Sequence, residues 1–287
     1  MRFMKSVLAT GMVLLLASSA SAQSGSGGAT DEWPFIRTSC SGAAGEPLRL
    51  VALGTSETAG WGIRTDESYS PLYSPQEAHP ARYADILCEE LGRPVELHSY
   101  FPDQLSTALA PLAWWNERLS GDEVMRSDLA AADVVVLSPL SFHDARTVLT
   151  AGKCRGEWPD PLRACFEAAT ADIEPQMDAA FSTIAALVPD AATILATDGF
   201  EPPAIRDLWG AEPYAEEIRR LTDPHFVVER LAPQHGFTVV PTETALGGPK
   251  LSDPPADGLF QIDGVHPTAL GAQLLAEALA QEDGLGD

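Results

Sequence analysis

Arg49-Leu50-Val51-Ala52-Leu53-Gly54-Thr55-Ser56-Glu57-Thr58-Ala59-Gly60-Trp61-Gly62 joins a short apolar run to a glycine-punctuated turn. An apolar run of this length, broken by Gly54, is the pattern of a buried strand. The turn leaves a serine at a strand end, where its hydroxyl would project from the sheet edge. Working outward, similar runs recur at 94–99, 133–137, 192–197 and 237–241. Helical patterns separate them at 81–91, 105–119, 166–187 with a break expected at Pro175, 214–231, and 267 to about 282. Strands that are apolar throughout and alternate with helices predict an α/β fold, a three-layer α/β/α sandwich around a five-stranded parallel sheet. Ligands of such sheets bind outside the carboxyl ends of the strands. Reactive residues are therefore expected just after strands.

The wider composition agrees with a folded chain: of 287 residues, 45% are hydrophobic and 21% charged. Eighteen basic residues against 41 acidic ones give a net charge of −23, which argues against nucleic acid or an anionic membrane as partner. Residues 1–22, MRFMKSVLATGMVLLLASSASA, carry Arg2 and Lys5, then an apolar stretch too short to span a bilayer, then a small-x-small cleavage signature at Ala20-Ser21-Ala22. They read as a signal peptide, which makes the protein secreted or periplasmic. Without Arg2 and Lys5, 16 basic residues face 41 acidic ones, or −25. Residues 23–38 begin as a Gly/Ser-rich flexible leader, and 39–287 read as one domain. No other stretch is long and apolar enough to span a membrane, and nothing in the sequence reports the oligomeric state.

Export would carry Cys40, Cys88, Cys154 and Cys165 to a compartment where disulfides persist. Three connectivities are possible. Cys154 and Cys165 are close in sequence and flank a proline-rich loop, so the expected pairs are Cys154–Cys165 and Cys40–Cys88. Neither C-x-x-C nor closely paired histidines occur, so no metal site is expected.

Near the C-terminus, Asp263-Gly264-Val265-His266-Pro267 precedes the last predicted helix. Pro267 suits the first helical position, which makes His266 the approximate N-cap, where Ser, Thr, Asp or Asn is usual. The proline also holds its predecessor extended, and Asp263 can fold back onto one ring nitrogen of His266. A serine nucleophile, an imidazole base and an orienting carboxylate are the requirements of acyl transfer. The alternative for Ser56 is an ordinary turn serine capping a helix.

These residues resemble two sequence blocks of the SGNH/GDSL hydrolase superfamily. The block GDSxxxGxG is matched by GTSETAGWG, with Thr55 in place of the aspartate and Ser56 as the nucleophile; the D-x-x-H block is matched by Asp263 and His266. The resemblance implies the flavodoxin-like fold of that family over nearly the whole chain after the signal segment. It also implies cofactor-free, two-step ester hydrolysis by Ser56, His266 and Asp263. The other two blocks depart from the family. Where a glycine after the second strand would help form the oxyanion hole, the chain has Tyr100-Phe101-Pro102-Asp103, so the backbone near Asp103 would have to serve beside the N–H of Ser56. Where an asparagine would follow the third strand, the chain has Ser138-Pro139-Leu140-Ser141-Phe142-His143-Asp144, and its only asparagine, Asn116, lies too early. His143 is the substitute donor, unless it is a loop histidine bonded to Asp144.

The function implied is a secreted serine esterase acting on a small-molecule or glycan ester: a short acyl ester, an acetylated sugar or a lipid. A degenerate module of the same fold that binds an acylated or sugar ligand without turnover is the alternative. The intact Ser56, Asp263 and His266 set separates the two. Trp61, Tyr69, Tyr73, Phe142, Phe200 and Trp209 are candidates for pocket walls.

Overall fold

The computed structural model describes residues 34–63, 73–101, 112–138, 140, 162–198, 224–246, 258–261 and 263–285. The described residues belong to one compact unit, Trp33–Asp287. The proposed signal peptide and the start of the leader lie outside them. In chain order the strands are β1 (Phe35–Ser39), β2 (Leu48–Leu53), β3 (Val95–Tyr100), β4 (Val134–Leu137), β5 (Thr193–Thr197) and β6 (Thr238–Val240). The α-helices are α1 (His79–Leu91), α2 (Leu112–Gly121), α3 (Glu123–Ala130), α4 (Leu162–Thr170), α5 (Ile173–Leu187), α6 (Pro224–Leu231), α7 (Thr242–Ala245) and α8 (Ala269–Glu282).

The strands form one sheet in the order β1-β3-β2-β4-β5-β6. From β3 to β6 every neighbouring pair is parallel. These five are the strands expected from the apolar runs, and their order is flavodoxin-like. Their uniform apolarity has a direct cause, because both faces are covered. Leu50 and Ala52 of β2 pack on α1 and α8 through Ala81, Leu87, Ala276 and Leu279. Val51 and Leu53, pointing the other way, pack with Trp115, Met125, Phe181 and Ile184 of α2, α3 and α5. Each fully buried aliphatic side chain of this kind contributes roughly 1.5–3 kcal/mol.

The sheet has a sixth strand where the sequence reading placed the end of a flexible leader. β1 runs antiparallel to β3, pairing Phe35 with Ser99 and Ser39 with Val95. The expected leader boundary at 38 is therefore corrected, because Phe35–Ser39 form a strand. Its alternating half-buried and exposed pattern is that of an edge strand, and the short mixed sequence FIRTS hides it. Tertiary ties hold β1 in place. Arg37 donates to both oxygens of Asp85 at 2.8 Å, and Ser39 donates to the same carboxylate at 2.7 Å. The Cys40–Cys88 disulfide, with Cα atoms 6.1 Å apart, fastens the strand's end to α1. Cys165 is also disulfide-bonded, while Cys154, its expected partner, lies outside the described residues.

Two helix expectations change. The break in 166–187 falls between α4 and α5, ahead of Pro175, which sits in the first turn of α5 where a missing N–H is tolerated. The last helix starts at Ala269, with Thr268 as N-cap accepting from the N–H of Gly271 at 3.2 Å. His266 is therefore not the cap. It stands two residues earlier in the loop, and Pro267 bridges to Phe260 instead of opening the helix. α3 was not anticipated. Its N-cap, Asp122, accepts from the N–H groups of Val124 and Met125 at 3.1 Å.

Candidate active site

β2 lies at the centre of the sheet, and the chain turns to opposite sides of it to form β3 and β4. The carboxyl end of β2 is thus the topological switch point, where open α/β sheets bind ligands. Sheet pairing continues to the rim: the N–H of Gly54 donates to Tyr100 and that of Ser138 to Leu53, at 3.1 and 2.9 Å. Ser56 follows on a tight turn. Ala59 N–H donates to the carbonyl of Thr55 at 3.1 Å and Trp61 N–H to that of Ser56 at 2.9 Å. Gly54 is required by packing, since a Cβ there would stand 1.9 Å from Thr58 Oγ1 and 2.7 Å from the Cβ of Ser138.

The second loop, before α8, is organised by Asp263. Its Oδ1 accepts from the N–H groups of Val265 and His266 at 2.9 and 3.0 Å, folding the loop back on itself. Its Oδ2 lies 2.7 Å from Nδ1 of His266. A carboxylate only accepts, so Nδ1 carries the proton and Nε2 is left as the acceptor. The Ser56 hydroxyl lies 2.9 Å from that Nε2. Ser56, His266 and Asp263, widely separated in sequence, thus form one hydrogen-bonded chain. Burial pushes the Asp263 carboxyl up, but the hydrogen bond and charge of His266 and the two N–H groups outweigh it and hold it below the ordinary carboxylate value. Such a chain can take a proton from the serine and return it to a leaving group.

Three further features were not anticipated. Glu57, directly after Ser56, is buried, accepts from Thr55 Oγ1 at 3.2 Å and lies within electrostatic reach of His266. Burial raises its carboxyl above the ordinary value, with His266 and the Thr55 hydroxyl pulling it back. An acid beside a glycine-flanked serine was a visible signal, but nothing in the sequence said that it would be buried. Beneath the turn, Thr58 donates to Ser138 at 2.9 Å, and Ser138 lies 3.2 Å from Nε2 of His79. This second serine–histidine pair is almost fully buried. Burial alone lowers His79 to about 4, with no carboxylate acting on it. It anchors the turn to β4 and α1. The third feature is Gln261, two residues before Asp263, which donates to carbonyls on both loops.

Aromatic rings flank the imidazole. Trp61 stands 6.1 Å from His266 and 5.1 Å from Tyr73, which in turn stands 5.7 Å from Phe101. Asp103 and His143, expected near the oxyanion hole, and Tyr69, Phe142, Phe200 and Trp209 lie outside the described residues. Among the described residues no group of three His, Cys, Asp or Glu side chains could hold a metal ion, and no helix is long and apolar enough to cross a membrane.

No protein-family model matches the chain, and no curated protein matches it in sequence. Solved structures do match. A lipase from a goat rumen metagenome aligns at 19% identity with a TM-score of 0.59, covering 83% of this chain and 98% of its own. A protein described as a GDSL-like lipase from Parabacteroides merdae gives 20% and 0.54, covering 84% and 97%. Phospholipase A1 of Streptomyces albidoflavus gives 18% and 0.53, covering 83% and 100%. The chain has the mostly parallel α/β fold of these three structures.

Proposed function

We propose that this chain, built on the fold of GDSL-like lipases, is an exported serine hydrolase that cleaves carboxylic esters through an acyl-enzyme. The observation that carries the reading is the unbroken chain from Asp263 through His266 to Ser56, at 2.7 and 2.9 Å. His266 Nε2 takes the hydroxyl proton as Ser56 Oγ attacks the acyl carbon, and the resulting imidazolium protonates the leaving alcohol. Water then enters on the same base and releases the acid, regenerating the serine. Asp263 holds the tautomer and offsets the imidazolium charge throughout. The oxyanion is assigned to the N–H of Ser56, the backbone near Asp103 and the His143 side chain. The Cys40–Cys88 disulfide supports export. The likeness to proteins named as lipases and a phospholipase supports an ester substrate. Within that class the candidates are short acyl esters, acetylated sugars and lipids.

A fluorophosphonate probe read by intact mass and peptide mapping tests the assignment, followed by a panel of esters of increasing acyl length and an acetylated sugar. The expected result is one adduct, on Ser56, lost in Ser56→Ala together with all ester turnover while the circular dichroism spectrum is unchanged. An adduct on Ser138 would move the nucleophile. A folded wild-type chain with neither adduct nor turnover would favour the ligand-binding module.

A further inference from the structure

Gln261 spans the gap between the loop that carries Ser56 and the loop that carries His266. Its carboxamide nitrogen donates to the main-chain carbonyl of Trp61 and to that of Pro267, each at 2.8 Å. Its own main-chain N–H donates to the carbonyl of His266, also at 2.8 Å. Both amide hydrogens are therefore used, and because both acceptors are carbonyls the amide has only one possible orientation. On the nucleophile side the path continues, since Trp61 N–H donates to the carbonyl of Ser56 at 2.9 Å. A short relay of peptide groups thus links the nucleophile's residue to the base's residue.

Two details show that the relay is built rather than incidental. Gln261 Oε1 is buried with no hydrogen-bond partner among the described residues. Leaving a buried acceptor unsatisfied is unfavourable, and an apolar residue filling the same space would avoid it. Here the carboxamide instead gives one donor to each loop, Trp61 on the nucleophile side and Pro267 on its own. The opposite loop also makes room: Gly62 has φ +73°, and a Cβ there would lie 2.2 Å from Gln261 Oε1. The second glycine of the Gly-Trp-Gly sequence is where the carboxamide lies.

We propose that Gln261 is a positioning residue that keeps Ser56 Oγ within hydrogen-bonding reach of His266 Nε2. The proposal rests on the serine hydrolase reading above. The hydrogen bonds of Gln261 go to the main chain at Trp61, His266 and Pro267, and through it Gln261 acts on the reacting side chains. Misplacement by about 1 Å costs on the order of 10²-fold in rate for groups that must meet in line.

The test compares Gln261→Met, which keeps the length and loses both donors, with Gln261→Glu, which keeps the shape. Gln261→Met is expected to lower kcat by about 10- to 100-fold with KM little changed, and to slow fluorophosphonate labelling of Ser56 in parallel. Gln261→Glu donates nothing when ionised and sets a charge against two carbonyls, so at pH 8 it should fall below Gln261→Met. Once protonated it regains one donor, so the ratio of Glu to Met activity should rise as pH falls. A space-filling residue would show no such ratio change. Wild-type kcat and labelling rate in folded Gln261→Met, a loss that tracks only the folded fraction, or a ratio flat with pH overturns the proposal. If Gln261→Met does not fold, Gln261→Glu carries the test against wild type: a kcat ratio that rises as pH falls, at unchanged KM, supports the proposal, and a ratio flat with pH overturns it. Failure of the underlying reading is seen separately, as a wild-type chain that does not label at Ser56.

Discussion

Among the described residues, two histidines are hydrogen-bonded through Nδ1 to an aspartate at nearly equal distance, and only one is placed to act as a base. His266 Nδ1 meets Asp263 at 2.7 Å, with the two side chains 14% and 24% exposed. His98 Nδ1 meets Asp128 at 2.6 Å, with both at about 10%. The difference lies at the other ring nitrogen. Nε2 of His266 faces the Ser56 hydroxyl, whereas Nε2 of His98 faces a second carboxylate, Glu96, at 2.7 Å. Tyr100 also donates to Asp128, and Arg49 reaches Glu96 at 3.0 Å and Asp128 at 3.5 Å. The second cluster is closed. It fastens α3 to β2 and β3 by charge compensation, and no lone pair of His98 is open to a substrate. An aspartate orients an imidazole in both places, and the partner of the remaining nitrogen decides between catalysis and support.

The largest expected effect tests that contrast directly. Asp263→Asn should lower kcat/KM by on the order of 10⁴, because an amide does not hold the same imidazole tautomer. Asp128→Asn should leave kcat of the folded protein unchanged and cost about 3–5 kcal/mol of stability, by unpairing a buried cluster. Ester kinetics and denaturant titration of both variants would merge the two sites into one class if Asp128→Asn also removed turnover. Next in size is a third use of histidine. His143→Ala should lower kcat by about 10²–10³ with little change in KM, and His143→Asn should recover part of it. An unchanged kcat in folded His143→Ala would leave the oxyanion to backbone donors.

A smaller effect belongs to His79, which has neither a carboxylate nor a catalytic hydroxyl. Burial lowers it from 6.5 to about 4, so the native state holds it neutral. Its contribution to stability is complete above 6.5 and falls as the pH drops toward 4, by on the order of 3 kcal/mol. His79→Gln should flatten that acid limb in a series of melts between pH 7 and 4. The smallest effect is at Glu57. Its folded-state value is raised by burial, so its penalty is absent below the ordinary carboxylate value and grows as pH rises through it. Glu57→Gln should therefore raise the melting temperature at pH 7–8 and leave it unchanged at pH 4. An equal gain at both would show that packing, not charge, is responsible.

What could be read from the residues alone was local or periodic. Five strands were legible because both of their faces are buried, which leaves continuous apolar runs such as Leu50–Leu53 and Val134–Leu137. The fold-back of Asp263 onto His266 was legible because it spans three residues and is set by the backbone between them. Only the tertiary structure decided what depends on register between distant segments. β1 is an edge strand whose pairing with β3 and ties to α1 leave no apolar signature in FIRTS. Gln261, Glu57 and the Thr58–Ser138–His79 chain look like ordinary polar residues until the sheet brings their loops together. The two aspartate–histidine pairs joined through Nδ1 are the sharpest case. Spacing exposed the one closed within a single loop, and the sequence was silent on Asp128 and His98, because a strand and a helix meet there only after the core has packed.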